Sequence, residues 1–460
     1  MTPTIRDAYK LFHAGSAALA RVEEAGIRID VPYLKKAIDR VGKRVDNLTE
    51  RMKADKCWTK WQRMQHRKGK KPNMSSRPQL GQLLEDLGHK LPRTDKGRIK
   101  TDDVALAAID LPFVQRFRRV ERLKKANSTY LNNMLQEVVD GFLHCFFNLH
   151  TVSTYRSSAS QINVQNIPVR NPMVQEIIRR SIIPRKGCCL LEVDYGALEF
   201  AVAACFWRDK NMIRYASDPN KDVHRDMAMN VFLLSQKEWN KNSRYVAKNQ
   251  FVFPTLYGSY YINECVKIWD AMQKLELFAG KEPPGVPMLK HLAKKGITER
   301  GACDFRQSPA AGTFEKHMQK VEQDFNAMFP TFQEQKVIRW EKYQQRGWFK
   351  MMTGFICRGH FSRNDLMNYG VQGPAFHLLL WSLIEIQKEL RRRKMKSLII
   401  AEIHDSMLFD ARLDEVDELI ELVCEVMTER VRKHWDWVVV PLKIEIERAD
   451  NNWFEKRRVA

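Results

Sequence analysis

Long apolar runs are missing from this sequence. No hydrophobic stretch approaches the roughly 18–20 residues that span a bilayer, so no membrane partner is expected. Arg6, Asp7 and Lys10 interrupt the N-terminus before a signal-like apolar core can form. Paired cysteine spacing is missing too. Nine cysteines occur without one Cys-x-x-Cys, and Cys188 and Cys189 stand side by side in an apolar run. That pattern argues against a zinc ribbon or a disulfide framework and suits a reducing, cytoplasmic setting. Internal repeats and long low-complexity tracts are also absent. Acidic residues are scarce beside basic ones: 55 Asp and Glu against 77 Lys and Arg, a net charge of +22 over 460 residues. Such an excess favours a polyanionic partner over simple solubility.

The basic charge is uneven. Residues 51–130 hold 21 basic and 8 acidic side chains, more than half of the net charge. Residues 56–78 read as a basic loop around Trp58 and Trp61. Its Arg63, Arg67, Lys68, Lys70 and Lys71 suit a phosphate-contacting tip or a solvated loop. Residues 112–136 read as a helix with six basic residues between Arg116 and Lys125. Helical spacing predicts helices over 13–55, broken at Gly26, and again over 222–262 and 313–347. Residues 264–312 read as irregular, with Gly280, Pro283, Pro284, Gly285 and Pro287 marking a loop.

Two strands carry the chemistry. The run 187–197 predicts a strand ending at Asp194, Tyr195 and Gly196, followed by a helix from Ala197. Leu398 to Ile403 predicts a second strand, turning at His404 and Asp405 and continuing to Asp410. A helix is expected over about 413–434 and a last strand from Trp437 to Ile446. Asp194 and Asp405 read either as turn and cap residues or as two carboxylates held together by divalent magnesium between them. Two ions in such a site stabilise the attacking and leaving oxygens of a phosphoryl displacement. Arg244 and Lys248 share a helix face. With His224 as a further cation they suit a triphosphate, Lys248 also being able to protonate departing pyrophosphate, or they form an ordinary solvated face.

Several segments occur in one recognisable order. Thr154-Tyr155-Arg156-Ser157-Ser158, then Asn163-Val164-Gln165-Asn166-Ile167-Pro168, resembles the palm segment of family A DNA polymerases. Asp194-Tyr195-Gly196-Ala197-Leu198-Glu199 resembles their motif A. Arg244-x-x-x-Lys248 with Tyr257-Gly258 resembles motif B, and His404-Asp405-Ser406 resembles motif C. Asp222-Val223-His224-Arg225 and Asn368-x-x-x-Gln372-Gly373 fall between them. Ala25 to Asp30 and Leu123 to Tyr130 resemble the family's thumb.

The resemblance implies an α+β right-hand fold: a palm with an antiparallel sheet, helical fingers and a helical thumb. The corresponding spans are 1–140 for thumb and the start of the palm, 141–215 for palm, 216–364 for fingers and 365–460 for palm. It implies a DNA-directed DNA polymerase that extends a primer on primer–template DNA from deoxynucleoside triphosphates. Two magnesium ions, or manganese in their place, would be held by Asp194, Asp405 and the Tyr195 carbonyl. His224, Arg244 and Lys248 would meet the triphosphate. Glu199 would be the steric gate against a ribose hydroxyl, and Tyr257 would lie at the templating base. Arg156, Asn368 and Gln372 would touch the minor groove, Arg170 the nucleic-acid backbone and His404 the primer terminus. The chain begins at the thumb, so no 3′–5′ exonuclease is expected within it. A separate exonuclease, a helicase or a processivity factor are candidate partners, and the location would be a host's cytoplasm for a phage enzyme.

Three features depart from the family pattern. Ser406 stands where a glutamate is usual, which also suits single-subunit RNA polymerases and gives the alternative reading; an inactive nucleic-acid-binding relative is the other. The stretch 264–312 is longer than the pattern needs. Lys248 and Tyr257 are nine apart rather than eight. At about 100° per residue this places them on opposite faces of a straight helix. A one-residue π-bulge or kink between Gln250 and Leu256, where Pro254 removes a backbone donor, would restore the direction and bring Phe253, not Val252, against the incoming sugar.

Overall fold

The computed structural model describes residues 2–94, 97–107, 109–168, 171–274, 277–280 and 285–459. At its centre is a five-stranded antiparallel sheet. Its middle strand β1 (Cys188–Gly196) is mostly buried, which explains the near-continuous apolar sequence. A hairpin strip, β2 (Trp348–Lys350) and β3 (Ile356–Arg358), stands apart from this sheet. The central order is completed by β4 (Leu398–Ile403), β5 (Ser406–Arg412), β6 (Lys443–Ala449) and β7 (Arg457–Arg458), arranged β4-β5-β1-β6-β7. The β7 edge is two arginines long, too short and too charged to recruit another strand.

Helices cover the sheet and extend to either side. The N-terminal α1 (Ile5–Ala25) starts at a capping box between Thr4 and Asp7 and stops at Gly26, whose φ is 64°. It packs so tightly on the long helix Arg363–Arg392 that a Cβ at Gly15 would lie 2.8 Å from the Leu380 side chain. Next come α2 (Val31–Lys53), capped by Asp30, α3 (Lys56–Arg67) and α4 (Pro112–Lys125). The far ends of α2, α3 and α4 share a small core of their own, with Trp61, Leu83, Phe113 and Phe117 fully buried.

After β1 the chain forms α5 (Leu198–Trp207), α6 (Val223–Phe232), α7 (Lys241–Ala247), α8 (Tyr261–Lys274), α9 (Phe314–Met328), α10 (Pro330–Arg346) and α11 (Arg363–Arg392). Every residue of α5 is buried, so it has no polar face and runs through the main core.

The structure corrects four element boundaries. The expected loop at 56–78 is largely the helix α3. Trp61 and Gln65 lie on its buried face, and the basic side chains mask that helical stripe in the sequence. The expected irregular stretch 264–312 is helical through Lys274 and again over Met288–Lys294, while its Pro283 and Pro284 lie outside the described residues. The last strand starts at Lys443 rather than Trp437. Pro441 has no N–H to give a ladder, and Trp435, Val438 and Val440 are buried instead. Finally, the π segment following α7 occupies Lys248–Val252, two residues earlier than expected at its start. Phe253 N–H reaches back five residues to the Lys248 carbonyl, and a short α-turn Phe253–Leu256 follows. The chain there is therefore not a straight α-helix.

Candidate active site

Strand register decides which carboxylates meet. Residue pairing sets Asp194 opposite Ser406 on one side and Glu445 on the other. The β4–β5 turn is two residues long, and His404 takes φ 62° to make it. A non-glycine residue is uncommon there, and such geometry gathers at functional sites. The turn brings the Asp405 carbonyl to the Tyr195 N–H at 3.1 Å, so the two aspartates end neighbouring strands side by side. Tyr195 itself is anchored beneath the sheet, its hydroxyl donating to the Met427 carbonyl at 2.9 Å.

Asp194 lies at the floor of a cleft, reached by solvent but walled by protein. Confinement first, then the negative charges of Asp405 and Glu192, push its pKa up to about 7, against the pull of Lys248. Oxygen ligands that repel each other in this way suit a divalent cation. Among the described residues no set of three Asp, Glu, His or Cys side chains converges on a metal position. The chain thus offers two carboxylates, and other ligands would come from water or phosphate.

Above this floor stands a wall built from α5, α6 and the π segment. Glu199, in the first turn of α5, is buried and hydrogen-bonded to Arg156. Burial and Asp405 raise the Glu199 pKa, while Arg156 opposes them. Burial would lower Arg156, but Glu199 and Asp405 overcome it and hold the guanidinium firmly charged. The Arg156 Nε also donates to the Gln372 carbonyl at 3.3 Å. The buried Tyr257 hydroxyl lies beside Glu199 and Gln372 without a well-formed hydrogen bond, and the Asn368 Oδ1 is likewise buried and unpartnered.

The π segment and the turn after it bring Lys248, Phe253 and Tyr257 together. Lys248 Nζ lies 5.3 Å from the Phe253 ring centroid. Phe253 stacks on Tyr257 at 6.2 Å and meets the His224 ring edge-on at 5.5 Å. Val252, by contrast, is fully buried in the main core. His224 differs from the expected cation. It is buried with both ring nitrogens unpartnered, and burial together with Lys248 and Arg244 pushes its pKa down to about 3, so the ring is neutral. Arg244 is paired, its Nε 2.8 Å from Asp222, the residue that caps α6.

Asp194, Tyr195, Glu199, His224, Arg244, Lys248, Phe253, Tyr257, Arg156, Gln372 and Asp405 thus form one neighbourhood. His404 is exposed at its rim. Arg170 lies outside the described residues. Lys68, Lys70 and Lys71 are exposed beyond the end of α3, apart from this site, with Lys68 Nζ 3.0 Å from Gln82. Sequence reasoning passed over Glu402. This fully buried carboxylate accepts hydrogen bonds from Ser157 and, at 3.1 Å, from Gln165 Nε2. Burial raises its pKa to about 7, with Asp405 adding to the effect. One acid inside an otherwise apolar strand was the available signal, because a buried charge needs partners.

Known proteins resemble this chain in sequence and in fold. Residues 43–267 and 312–455 match the model of DNA polymerase family A, with 268–311 unmatched between them. The chain is 27% identical over 405 residues to DNA polymerase I of Lactococcus lactis subsp. lactis (strain IL1403), covering 85% of this chain and 40% of that protein. It is 25% identical over 449 residues to DNA polymerase I of Geobacillus stearothermophilus, covering 95% and 45%. It therefore spans less than half the length of these relatives. The POL domain of Pol1 from M. smegmatis, solved in complex with DNA primer-template and dNTP, superposes with a TM-score of 0.72 at 20% identity over 96% of this chain and 70% of that one. The fold is accordingly the right hand of palm, fingers and thumb, and with most of its length matched, the chain belongs to DNA polymerase family A.

Proposed function

We propose that this chain extends a primer 3′ end on a DNA template by nucleotidyl transfer from deoxynucleoside triphosphates, releasing pyrophosphate. The observation that carries the reading is the junction of Asp194 and Asp405 at the ends of β1 and β4 beneath Lys248, Phe253 and Glu199. Asp194, Asp405 and the Tyr195 carbonyl would hold two magnesium ions, which supply charge neutralisation at the attacking and leaving oxygens. Lys248 would lie along the triphosphate and protonate the pyrophosphate as it leaves. Arg244 would exchange its bond with Asp222 for a phosphate oxygen, and neutral His224 would donate one hydrogen bond instead of a charge. Phe253 would stack at the nucleotide sugar with Tyr257 behind it. Glu199, fixed by Arg156, would fill the space that a ribose 2′ hydroxyl needs, while Arg156, Asn368 and Gln372 would face the minor groove of the nascent pair.

Extension of a labelled primer, with deoxy- and ribonucleotides in competition, tests this directly. The wild-type chain should add deoxynucleotides and reject ribonucleotides, and Glu199→Ala should weaken that rejection at least about tenfold, a change of about 1.4 kcal/mol in relative barrier. Preference for ribonucleotides by the wild type would instead favour the RNA polymerase reading that Ser406 suggests.

A further inference from the structure

At the far end of the helix that carries Glu199 lies a second concave site. The last turn of α5, the second half of α10, the strand β2 and Leu366 of α11 enclose a cavity of about 280 Å³. Arg339, Lys342, Arg346 and Lys350 line it, and no carboxylate does. The first three follow at spacings of three and four, so they form one row along α10. Lys342, Arg346 and Lys350 are exposed, and among the described residues none of the four cations has an acidic partner within ion-pair distance.

Arg339 is the deepest. Its guanidinium lies 3.9 Å from the Phe206 ring centroid and donates to the Phe206 carbonyl at 2.7 Å, while its Nε has no partner. Burial, reinforced by the charge of Arg208, lowers its pKa to about 10. A confined cation without a counter-charge is costly, so the cavity favours an anion. Trp348 gives it a second character. Its ring is half-exposed with Arg346 5.8 Å above it, and Phe349 lines the same wall. A small anion would use the cations and leave the indole idle. A row of cations beside accessible aromatic rings is what single-stranded nucleic acid requires, phosphates on the one and bases stacked on the other.

The cavity shares two helices with the active site. Phe206 follows Glu199 by seven residues on one helix, about 10 Å along its axis, and Leu366 precedes Asn368 by two. We propose that this cavity binds the unpaired template strand ahead of the templating base. The inference rests on the polymerase reading above, and it adds a site outside the four motifs that carry the resemblance.

Fluorescence anisotropy of the full chain tests it, using one duplex whose template overhang is either a single nucleotide or long enough to pass through the cavity. The wild type should bind the long overhang about tenfold more tightly, the gain expected from stacking one base. Lys342→Ala, Arg346→Ala and Lys350→Ala together should remove most of that gain and flatten its salt dependence by about 0.7 per lost phosphate contact. Trp348→Ala should reduce the gain and leave the salt slope alone. Both variants should match wild type in binding the short overhang and adding one nucleotide to it, which also shows that they fold. The proposal is overturned if the wild type shows no overhang gain, if the variants lose both substrates equally, or if the gain needs a flap on the other strand. An overhang gain that the variants lose, in a wild-type chain that extends neither substrate, supports the cavity and sinks the polymerase reading.

Discussion

The floor of the site and its wall hold charge in opposite ways. On the floor, Asp194 and Asp405 stand together, offset by Lys248 and, at Asp405, by Arg156, and confinement with the neighbouring carboxylates raises the Asp194 pKa to about 7. In the wall, charges are settled internally: Arg244 on Asp222, Arg156 on Glu199, His224 stripped of its proton by burial. Two carboxylates crowded together in this way suit a cation between them. The wall is closer to complete, and binding there must exchange existing partners. Loss of a floor residue should therefore abolish chemistry, while changes in the wall should shift affinity.

The largest expected effect breaks the floor. Asp194→Ala or Asp405→Ala should lower primer extension by about a thousandfold or more, with primer–template binding by anisotropy nearly unchanged. Chelation of divalent ions should do the same to the wild type, and added magnesium should reverse it. Extension within a few-fold of wild type by either variant removes the two-carboxylate assignment.

The wall is tested by two neighbouring residues, Phe253 beside Lys248 and His224 and Val252 buried in the core. Phe253→Ala should raise the KM for the incoming nucleotide about tenfold while the melting temperature barely moves. Val252→Ala should leave KM alone and destabilise the fold by about 1–2 kcal/mol through the cavity it leaves. Equal KM effects would mean that the π segment does not set the facing of these residues.

Stability against pH sharpens the comparison with a smaller effect. Asp194 has a folded pKa near 7 against an ordinary 3.8. The folded chain thus holds that proton more tightly than the unfolded one, and stability falls as pH rises from about 4 to about 7, then levels. Asp194→Asn should raise the melting temperature in metal-free buffer at pH 8 and change little at pH 4. Solvent access to the side chain limits the gain to roughly 1 kcal/mol, or about 2 °C. A lower melting temperature at pH 8 would contradict the repulsion. Smallest of all, charge reversal at Lys68, Lys70 and Lys71 should weaken DNA binding a few-fold at all sequences and reduce its salt slope. An unmoved slope would leave these residues merely solvated.

The floor was the more legible half in sequence. A strand that runs apolar and then ends on an acid can be read locally, and both Asp194 and Asp405 stand out in this way. Their meeting is not local, since it depends on the register that sets Ser406 beside Asp194. The extra residue between Lys248 and Tyr257 announced a break in the helix, but not where it begins, because Pro254 marks the missing donor and the carbonyls adjust upstream. Burial hid the rest. Nothing near His224 in sequence reveals the neutral ring, and in α3 the basic residues concealed the helical stripe of Trp61 and Gln65.

The small core shared by α2, α3 and α4 has a mechanical consequence. α2 is a 23-residue rod, about 34 Å long at 1.5 Å per residue. Its base joins the core that holds Leu143 and Ile182, and its far end is welded to Trp61 and Phe113. A tilt of about 10° at the base would sweep the basic tip through about 6 Å by that length. The helix Asp103–Ala107 of the end assembly also meets α8, so any swing of the lever would work against that contact. Lys68, Lys70 and Lys71 stand exposed at the tip of that lever, where a small rotation at the root would change their reach most.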